Sequence, residues 1–319
     1  MKEHLKKLEI LKALSDGSFH SGEELGDDIG VSRAAISKHI KGIQEWGLSI
    51  YRIQGKGYAL SSPLELLSAD QVICKDLPQT SILGVVDSTN QFLLDQMTVL
   101  KKGQSCFAEY QVAGRGRRGR TWVSPFGSNI YCSIFWRFDN GLAATMGLSL
   151  AIGIAVVDAL EVIGCKGLKL KWPNDIYWNE LKLAGVLIEL SGQSGGSADV
   201  VVGIGINIEL NEKSALVIDQ PWVDLMTILG ERNIRNKLAS ELLVSLNKTL
   251  LEFERSGLQS FINRWKKLDN FIDESITLTM GSQSIHGVCR GINSQGAILL
   301  ERNCIVESYF GGEISVRKA

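Results

Sequence analysis

Apolar residues recur at Leu5, Leu8, Leu11 and Leu14, the spacing of one helix face. Ser21 and Glu24, three residues apart ahead of Leu25, form a capping-box pattern, so a second short helix starts there. After a turn over residues 26–30, Ser32 caps a third helix that runs from Arg33 to about Trp46. On it Ile36, Ile40 and Ile43 point inward, while Arg33, Ser37, Lys38 and Lys41 point outward. Residues 48–53 and 58–60 alternate like strands around Gln54-Gly55-Lys56-Gly57, a hairpin turn. Two helices about a short turn and then a hairpin predict a winged helix-turn-helix over residues 1–62.

Ser61-Ser62-Pro63 reads as a linker, which makes the first unit separable from the rest. Residues 66–270 alternate helices and strands, an α/β-type domain. The most apolar run, 142–163, carries Asp158 and Glu161, and its uninterrupted part is too short to cross a bilayer comfortably. It is expected as a buried helix, with no membrane role. Residues 271–319 break into short strands at 276–280, 285–292, 297–301, 305–309 and 314–317, punctuated by glycine, which predicts a small β-barrel.

Composition narrows the function. A chain of 319 residues with 45% hydrophobic and 22% charged residues is an ordinary globular protein of two or three domains. Its net charge of −1 leaves no global basic field, so any nucleic-acid affinity must come from local clustering. Such a cluster exists: residues 29–62 hold five basic residues (Arg33, Lys38, Lys41, Arg52, Lys56) and one acid, Glu45. A recognition helix and a basic wing would face DNA through Ser32, Arg33, Ser37, Lys38 and Lys56; the bland alternative is a protein-interaction module. The six scattered cysteines predict buried thiols in a reducing, cytoplasmic setting. They share no metal-ligand spacing, and with only four histidines no protein-only metal site is expected.

The densest chemistry lies in Gln111-Val-Ala-Gly114-Arg115-Gly116-Arg117-Arg118-Gly119-Arg120-Thr-Trp122. Four arginines and three glycines fill the seven positions 114–120. Glycine lets backbone N–H groups turn toward an anion, and arginine adds planar forks that match phosphate or carboxylate. The letters also satisfy Gly-x-Gly-x-x-Gly. The flanking segments 105–110 and 130–136 both read as strands, however, and the dinucleotide fingerprint must open a helix. A clamp for a small polyanion competes here with a solvated loop that touches nucleic acid.

Three further clusters accompany the loop. In Asp87-Ser88-Thr89-Asn90-Gln91 an apolar strand ends in small polar residues, which either cap the next helix or read an uncharged polar head group. In Lys169-Leu-Lys171-Trp172-Pro173-Asn174-Asp175 and Leu181-Lys182-Leu-Ala-Gly185, Lys182 opens an apolar strand beside small residues. There it either points into a cleft or snorkels to the surface. In the third, Gly203 and Gly205 interrupt a strand before Asn207, which suggests close approach of a ligand or backbone. Residues 192–199 ahead of it read as a hairpin loop, and Trp222 is either a core residue or a stacking platform for adenine.

These motifs together resemble the family of bifunctional biotin protein ligases that double as biotin operon repressors, and the resemblance covers the whole chain, down to the closing Gly311-Gly-Glu-Ile. It implies a multi-domain α+β fold: an N-terminal winged helix-turn-helix (1–62), a central biotin/lipoate ligase domain with a mixed sheet (66–270), and a C-terminal SH3-like β-barrel (271–319). It implies activation of biotin by ATP with Mg²⁺ to biotinyl-5′-AMP, then transfer to a lysine of the biotin carboxyl carrier protein. By motif, Ser88, Thr89, Asn90, Gln111, Arg115, Gly116, Arg117 and Lys182 would meet biotin, with Lys182 and Arg117 catalytic. Arg118, Arg120, Asn174, Asn207 and Trp222 would belong to the nucleotide. The adenylate would also be the corepressor, favouring a homodimer on biotin operator DNA. A non-catalytic ligand-sensing repressor and a lipoate-protein ligase are the competing functions.

Overall fold

The computed structural model describes residues 4–192, 196–311 and 314–318. Part of the hairpin expected over 192–199, and Gly312 and Glu313 of the closing signature, therefore lie outside the described residues. The first unit is α1 (Leu5–Leu14), α2 (Gly22–Ile29), α3 (Arg33–Gln44) and the antiparallel hairpin β1 (Ile50–Ile53) and β2 (Gly57–Leu60). Its local signals hold. Ser21 Oγ accepts from Glu24 N–H, and the Glu24 carboxylate accepts from Ser21 N–H. Ser32 Oγ caps α3 by accepting from Ala35 N–H.

The central unit is a seven-stranded sheet. Its strands are β3 (Ser81–Val86), β4 (Ser105–Gln111), β5 (Asn129–Phe138), β6 (Leu168–Lys171), β7 (Asp175–Trp178), β8 (Leu181–Gly192) and β9 (Ala198–Asn207). The order is β3-β4-β5-β9-β8-β7-β6, with β3 and β4 parallel and every other pair antiparallel. This is the mixed sheet expected. One face carries α4 (Thr89–Leu94), whose Leu93 packs with Cys106, Phe135 and Val201. The other buries α5 (Leu148–Val162), the apolar run of the sequence, in the core with α8 (Arg235–Ser256). Short helices α6 (Glu212–Ala215), α7 (Leu225–Leu229) and α9 (Ile262–Leu268) complete the unit.

The tail forms β10 (Ser275–Met280), β11 (Gln283–Ile292), β12 (Ile298–Arg302), β13 (Ile305–Tyr309) and β14 (Ile314–Lys318), one antiparallel sheet in the order β13-β12-β11-β10-β14. It is the small β unit expected, although no described pairing joins its edges β13 and β14. Its Ile276, Leu278, Leu300 and Val316 belong to the same apolar core as α5 and α8. Five cysteines are buried free thiols, as expected; Cys304 departs from that expectation and is exposed in the β12–β13 turn.

The linker is not slack. Glu109 and Arg235, both buried, lie 2.8 Å apart. Arg235 Nη1 donates to Glu65 O at 2.5 Å, and Leu67 N–H donates to Glu109 Oε1 at 2.6 Å. Removing one partner of such a pair strands the other in the core, at a cost of about 3–5 kcal/mol. The winged helix is also docked by packing. Trp46 stacks with Tyr110, at 5.6 Å between ring centroids, and with Phe126, at 5.5 Å. Phe126, Leu64, Leu66, Val85 and Tyr110 join the winged-helix core. A Cβ on Gly84 of β3 would fall 2.4 Å from Leu8 Cδ1, so this edge strand is bare where α1 lies on it. Separability of residues 1–62, expected from the linker composition, meets this shared core as an obstacle.

Trp46→Ala should therefore lower the stability of the whole chain by about 3–5 kcal/mol, the usual cost of emptying a buried tryptophan site. Urea unfolding checks this, and an unchanged midpoint would show that the winged helix and the sheet stand independently.

Candidate active site

Strands β4 and β5 lead into and out of the arginine loop, the strand–loop–strand context that argues against a dinucleotide helix. The loop is a narrow hairpin: Gly116 N–H donates to Arg120 O at 2.7 Å and Trp122 N–H to Gly114 O at 2.9 Å. At its tip Arg118 has φ 60°, a left-handed backbone that costs a non-glycine residue about 1–2 kcal/mol. Trp122 then lies back on the sheet. A Cβ on Gly205 would fall 2.3 Å from Trp122 Cε2, and one on Gly203 would fall 2.2 Å from Asn90 Oδ1. The strand glycines thus admit two side chains of this chain, where the sequence suggested a ligand or backbone.

Between loop and sheet is a cavity of about 770 Å³. All residues expected on the biotin side line it: Ser88, Thr89, Asn90, Gln111, Arg115, Gly116, Arg117 and Lys182. So do Arg118, Arg120, Asn174, Asn207 and Trp222 from the nucleotide side. Among the described residues, seven cationic side chains line it against two carboxylates, Asp175 and Asp219, so its field favours a polyanion.

The uncharged wall is wired internally. Thr89 N–H donates to Gln111 Oε1 at 2.9 Å, and Gln111 Nε2 donates to Ser124 Oγ at 2.9 Å. Ser133 Oγ lies 2.8 Å from Thr89 Oγ1 and donates to Asn90 Oδ1 at 2.6 Å. Asn174 accepts from Arg117 Nη1 at 2.8 Å and donates to Val186 O at 2.9 Å. Asn207 Nδ2 donates to Val223 O at 3.1 Å, which holds the segment bearing Trp222 beside β8. The amides at 90, 111, 174 and 207 therefore shape the cavity. Ser88 has no such engagement, and its hydroxyl does not cap α4.

Lys182 Nζ lies 2.9 Å from Asp175 Oδ1, an ion pair whose angle falls outside hydrogen-bond geometry. The same ammonium lies 5.6 Å from the Trp122 ring centroid. The Lys182 side chain is only 12% exposed, so it points into the cleft and does not snorkel. Lys171 donates to Tyr177 Oη at 3.2 Å. Burial lowers the Lys171 pKa, and Asp175 opposes the shift. Burial likewise lowers that of Arg117, again against Asp175. The sequence motifs hold Asp175, Lys171 and Trp122 without showing a role for them, and Tyr177 lies just beyond them. Their chemistry appears only when β6, β7 and the arginine loop meet. The residues expected at DNA stand apart: Arg33, Lys38 and Lys56 are exposed on the winged helix, Ser37 is half-buried, and the Ser32 hydroxyl is engaged in capping α3.

Comparison with known proteins places the chain in a family. Residues 82–207 match the Biotin/lipoate A/B protein ligase family and residues 6–59 an HTH domain. The chain is 47% identical to the Bifunctional ligase/repressor BirA of Salmonella typhimurium, covering 100% of both chains. It is equally 47% identical to BirA of Escherichia coli, covering 100% of this chain and 99% of that protein. Among solved structures, the biotin protein ligase of Aquifex aeolicus in complex with biotin and ATP superposes with a TM-score of 0.65 at 29% identity, covering 75% of this chain and 99% of that one. With its winged helix, its cation-lined cavity and this end-to-end likeness, the chain belongs to the bifunctional biotin ligase/repressor family.

Proposed function

We propose that the chain activates biotin with ATP and transfers it to a lysine of the biotin carboxyl carrier protein. The observation that carries this reading is one cavity that joins an uncharged polar wall to a cation cluster around Lys182. The wall from Ser88 to Asn90 and Gln111 suits a neutral ring system, and Lys182 and Arg117 suit the carboxylate and α-phosphate next to it. One biotin carboxylate oxygen attacks the α-phosphorus. The bond to the bridging oxygen breaks, and pyrophosphate leaves with that electron pair. Lys182 and Arg117 hold the charge that builds on the phosphoryl oxygens. Arg118, Arg120, Asn174, Asn207 and Trp222 hold or shape the nucleotide side. The amine of the carrier lysine then attacks the acyl carbon and displaces AMP. Burial of Lys182 beside Trp122 raises the worth of its charge, because less water screens it.

Mg²⁺ carried by the nucleotide fits this wall. Asp175 and Asp219 are its lining carboxylates among the described residues, and Mg²⁺ takes mostly phosphate and water oxygens with one or two carboxylates. Bound there it would screen phosphate charge. No cluster of three or more His, Cys, Asp or Glu side chains suited to a metal ion stands among the described residues. The free thiols accord with work in the cytoplasm.

The repressor half rests on the winged helix. Arg33, Lys38 and Lys56 are exposed on it. A few phosphate contacts per protomer give weak binding, and two copies on a two-fold axis double them. We therefore assign biotinyl-5′-AMP as corepressor and an adenylate-bound homodimer as the operator-binding form.

Lys182→Ala should cut adenylate formation by about 10²-fold or more while the fold survives. Pyrophosphate release with biotin and ATP measures it, and near-normal turnover by a folded variant would remove Lys182 from the chemistry.

Lys38→Ala should flatten the dependence of log affinity on log salt by about two, roughly one released counterion per protomer. Operator titration at several salt concentrations, with biotinyl-5′-AMP present, reads the slope. An unchanged slope would take Lys38 off the DNA.

A further inference from the structure

Behind the cavity wall stands one carboxylate that the reaction above does not use. Glu189 lies on β8, beyond Gly185, where the pairing with β7 ends. Its Oε2 accepts two hydrogen bonds from opposite sides of the site. Asn90 Nδ2 donates at 2.7 Å from the uncharged wall, and Arg115 Nη2 donates at 2.9 Å from the first arginine of the loop. No other carboxylate of the described residues joins the two walls in this way.

Each contact has a physical consequence. Asn90 is buried, and its Oδ1 accepts from Ser133 Oγ at 2.6 Å. An amide turned end for end would set Oδ1 against the Glu189 carboxylate, two acceptors with no proton between them. Glu189, by the shorter of two bonds from this amide (Leu187 O also accepts from Nδ2, at 3.4 Å), helps fix which end of Asn90 faces the Ser133–Thr89–Gln111 chain. On the other side it tethers Arg115 to β8, so the stem of the loop is held while its tip reaches for Asn174 through Arg117. The Arg115–Glu189 pair is partly exposed, with side chains 37% and 27% accessible, and so contributes little to folding. Its effect falls on the site.

We propose that Glu189 is a positioning residue that locks the neutral wall and the arginine loop to one strand, and thereby sets both biotin affinity and adenylate retention. This rests on the ligase reading above. Two substitutions separate the contacts. Glu189→Ala removes both, whereas Glu189→Gln keeps an acceptor for Asn90 and removes the charge that holds Arg115.

The test is calorimetric titration of biotin together with the dissociation rate of biotinyl-5′-AMP, measured on the full chain beside its thermal midpoint. Glu189→Ala should weaken biotin by about tenfold and speed adenylate loss by about tenfold, the scale of one charged hydrogen bond. Its thermal midpoint should stay near wild type. Glu189→Gln should bind biotin like wild type yet still lose the adenylate faster. In the Glu189→Gln background, Arg115→Ala should add less to the dissociation rate than it does alone. Wild-type biotin affinity and adenylate lifetime in Glu189→Ala, or strictly additive effects with Arg115→Ala, would overturn the assignment. A Glu189→Ala chain that loses ligand only in proportion to a lowered thermal midpoint would overturn it too. A wild-type chain that binds neither biotin nor the adenylate would overturn the ligase reading, and this assignment with it.

Discussion

The site depends on two missing Cβ atoms. Gly203 and Gly205 alternate on β9, so both face the same side of the sheet. The side chain of Asn90 occupies the space over the first and the indole of Trp122 the space over the second. A methyl group at either position would sit 2.2–2.3 Å from those atoms, far inside contact distance, with little freedom on the other side to yield. Trp122 also lies over Gly185 of the neighbouring β8, where a Cβ would meet its ring at 3.3 Å. The bare patch on β8 and β9 is therefore what lets the arginine loop fold down. The loop in turn gives the cavity its roof and its charge.

The roof then organises the floor. Trp122 brings Ser124 under Gln111, and Ser124 Oγ lies 2.9 Å from both Gln111 Nε2 and Trp122 O. Gln111 orders the start of α4 through Thr89, and Asn90 follows on the same turn. Buried polar groups wired in this way are costly if one partner is lost and rigid if all are kept. A ligand thus meets a preformed polar wall, while the arginines above remain partly exposed and adjustable.

The sequence made the parts of this site legible but not their division of labour. Caps and periodicity are local, so the winged helix could be outlined from Ser21, Glu24, Ser32 and the isoleucines of α3. The motif residues that line the cavity were all named, because charge and glycine content are visible in any short window. Sheet order was hidden: β9 follows β8 as a hairpin, but its other edge pairs with β5, which lies far back along the chain. Without that order the glycines could be read as close approach, yet nothing showed that Trp122 and Asn90 are what approaches. For the same reason nothing in the sequence showed that the amides of Asn174 and Asn207, which line the cavity, also hold backbone and arginine in place. The surroundings of the linker were hidden in a related way. Ser61-Ser62-Pro63 has the composition of a hinge, but the residues after it are pinned by Arg235 and Glu109, which lie too far along the chain to be seen from it.

That pinning bears on how two functions share one chain. Tyr110 and Gln111 are neighbours on β4, and successive side chains of a strand point to opposite sides. Tyr110 stacks on Trp46 at the end of the recognition-helix segment, and Gln111 holds the uncharged wall of the cavity. Phe126, the other ring against Trp46, follows Ser124 by two residues, and Ser124 closes the roof onto Gln111. The winged helix thus touches both ends of the arginine loop, through one residue before it and one after it. The same corner is held from a third side by Asn211, whose Nδ2 donates to the Gly47 carbonyl. Three rings, Tyr110, Trp46 and Phe126, thus join the segment after the DNA-facing helix to both flanks of the arginine loop.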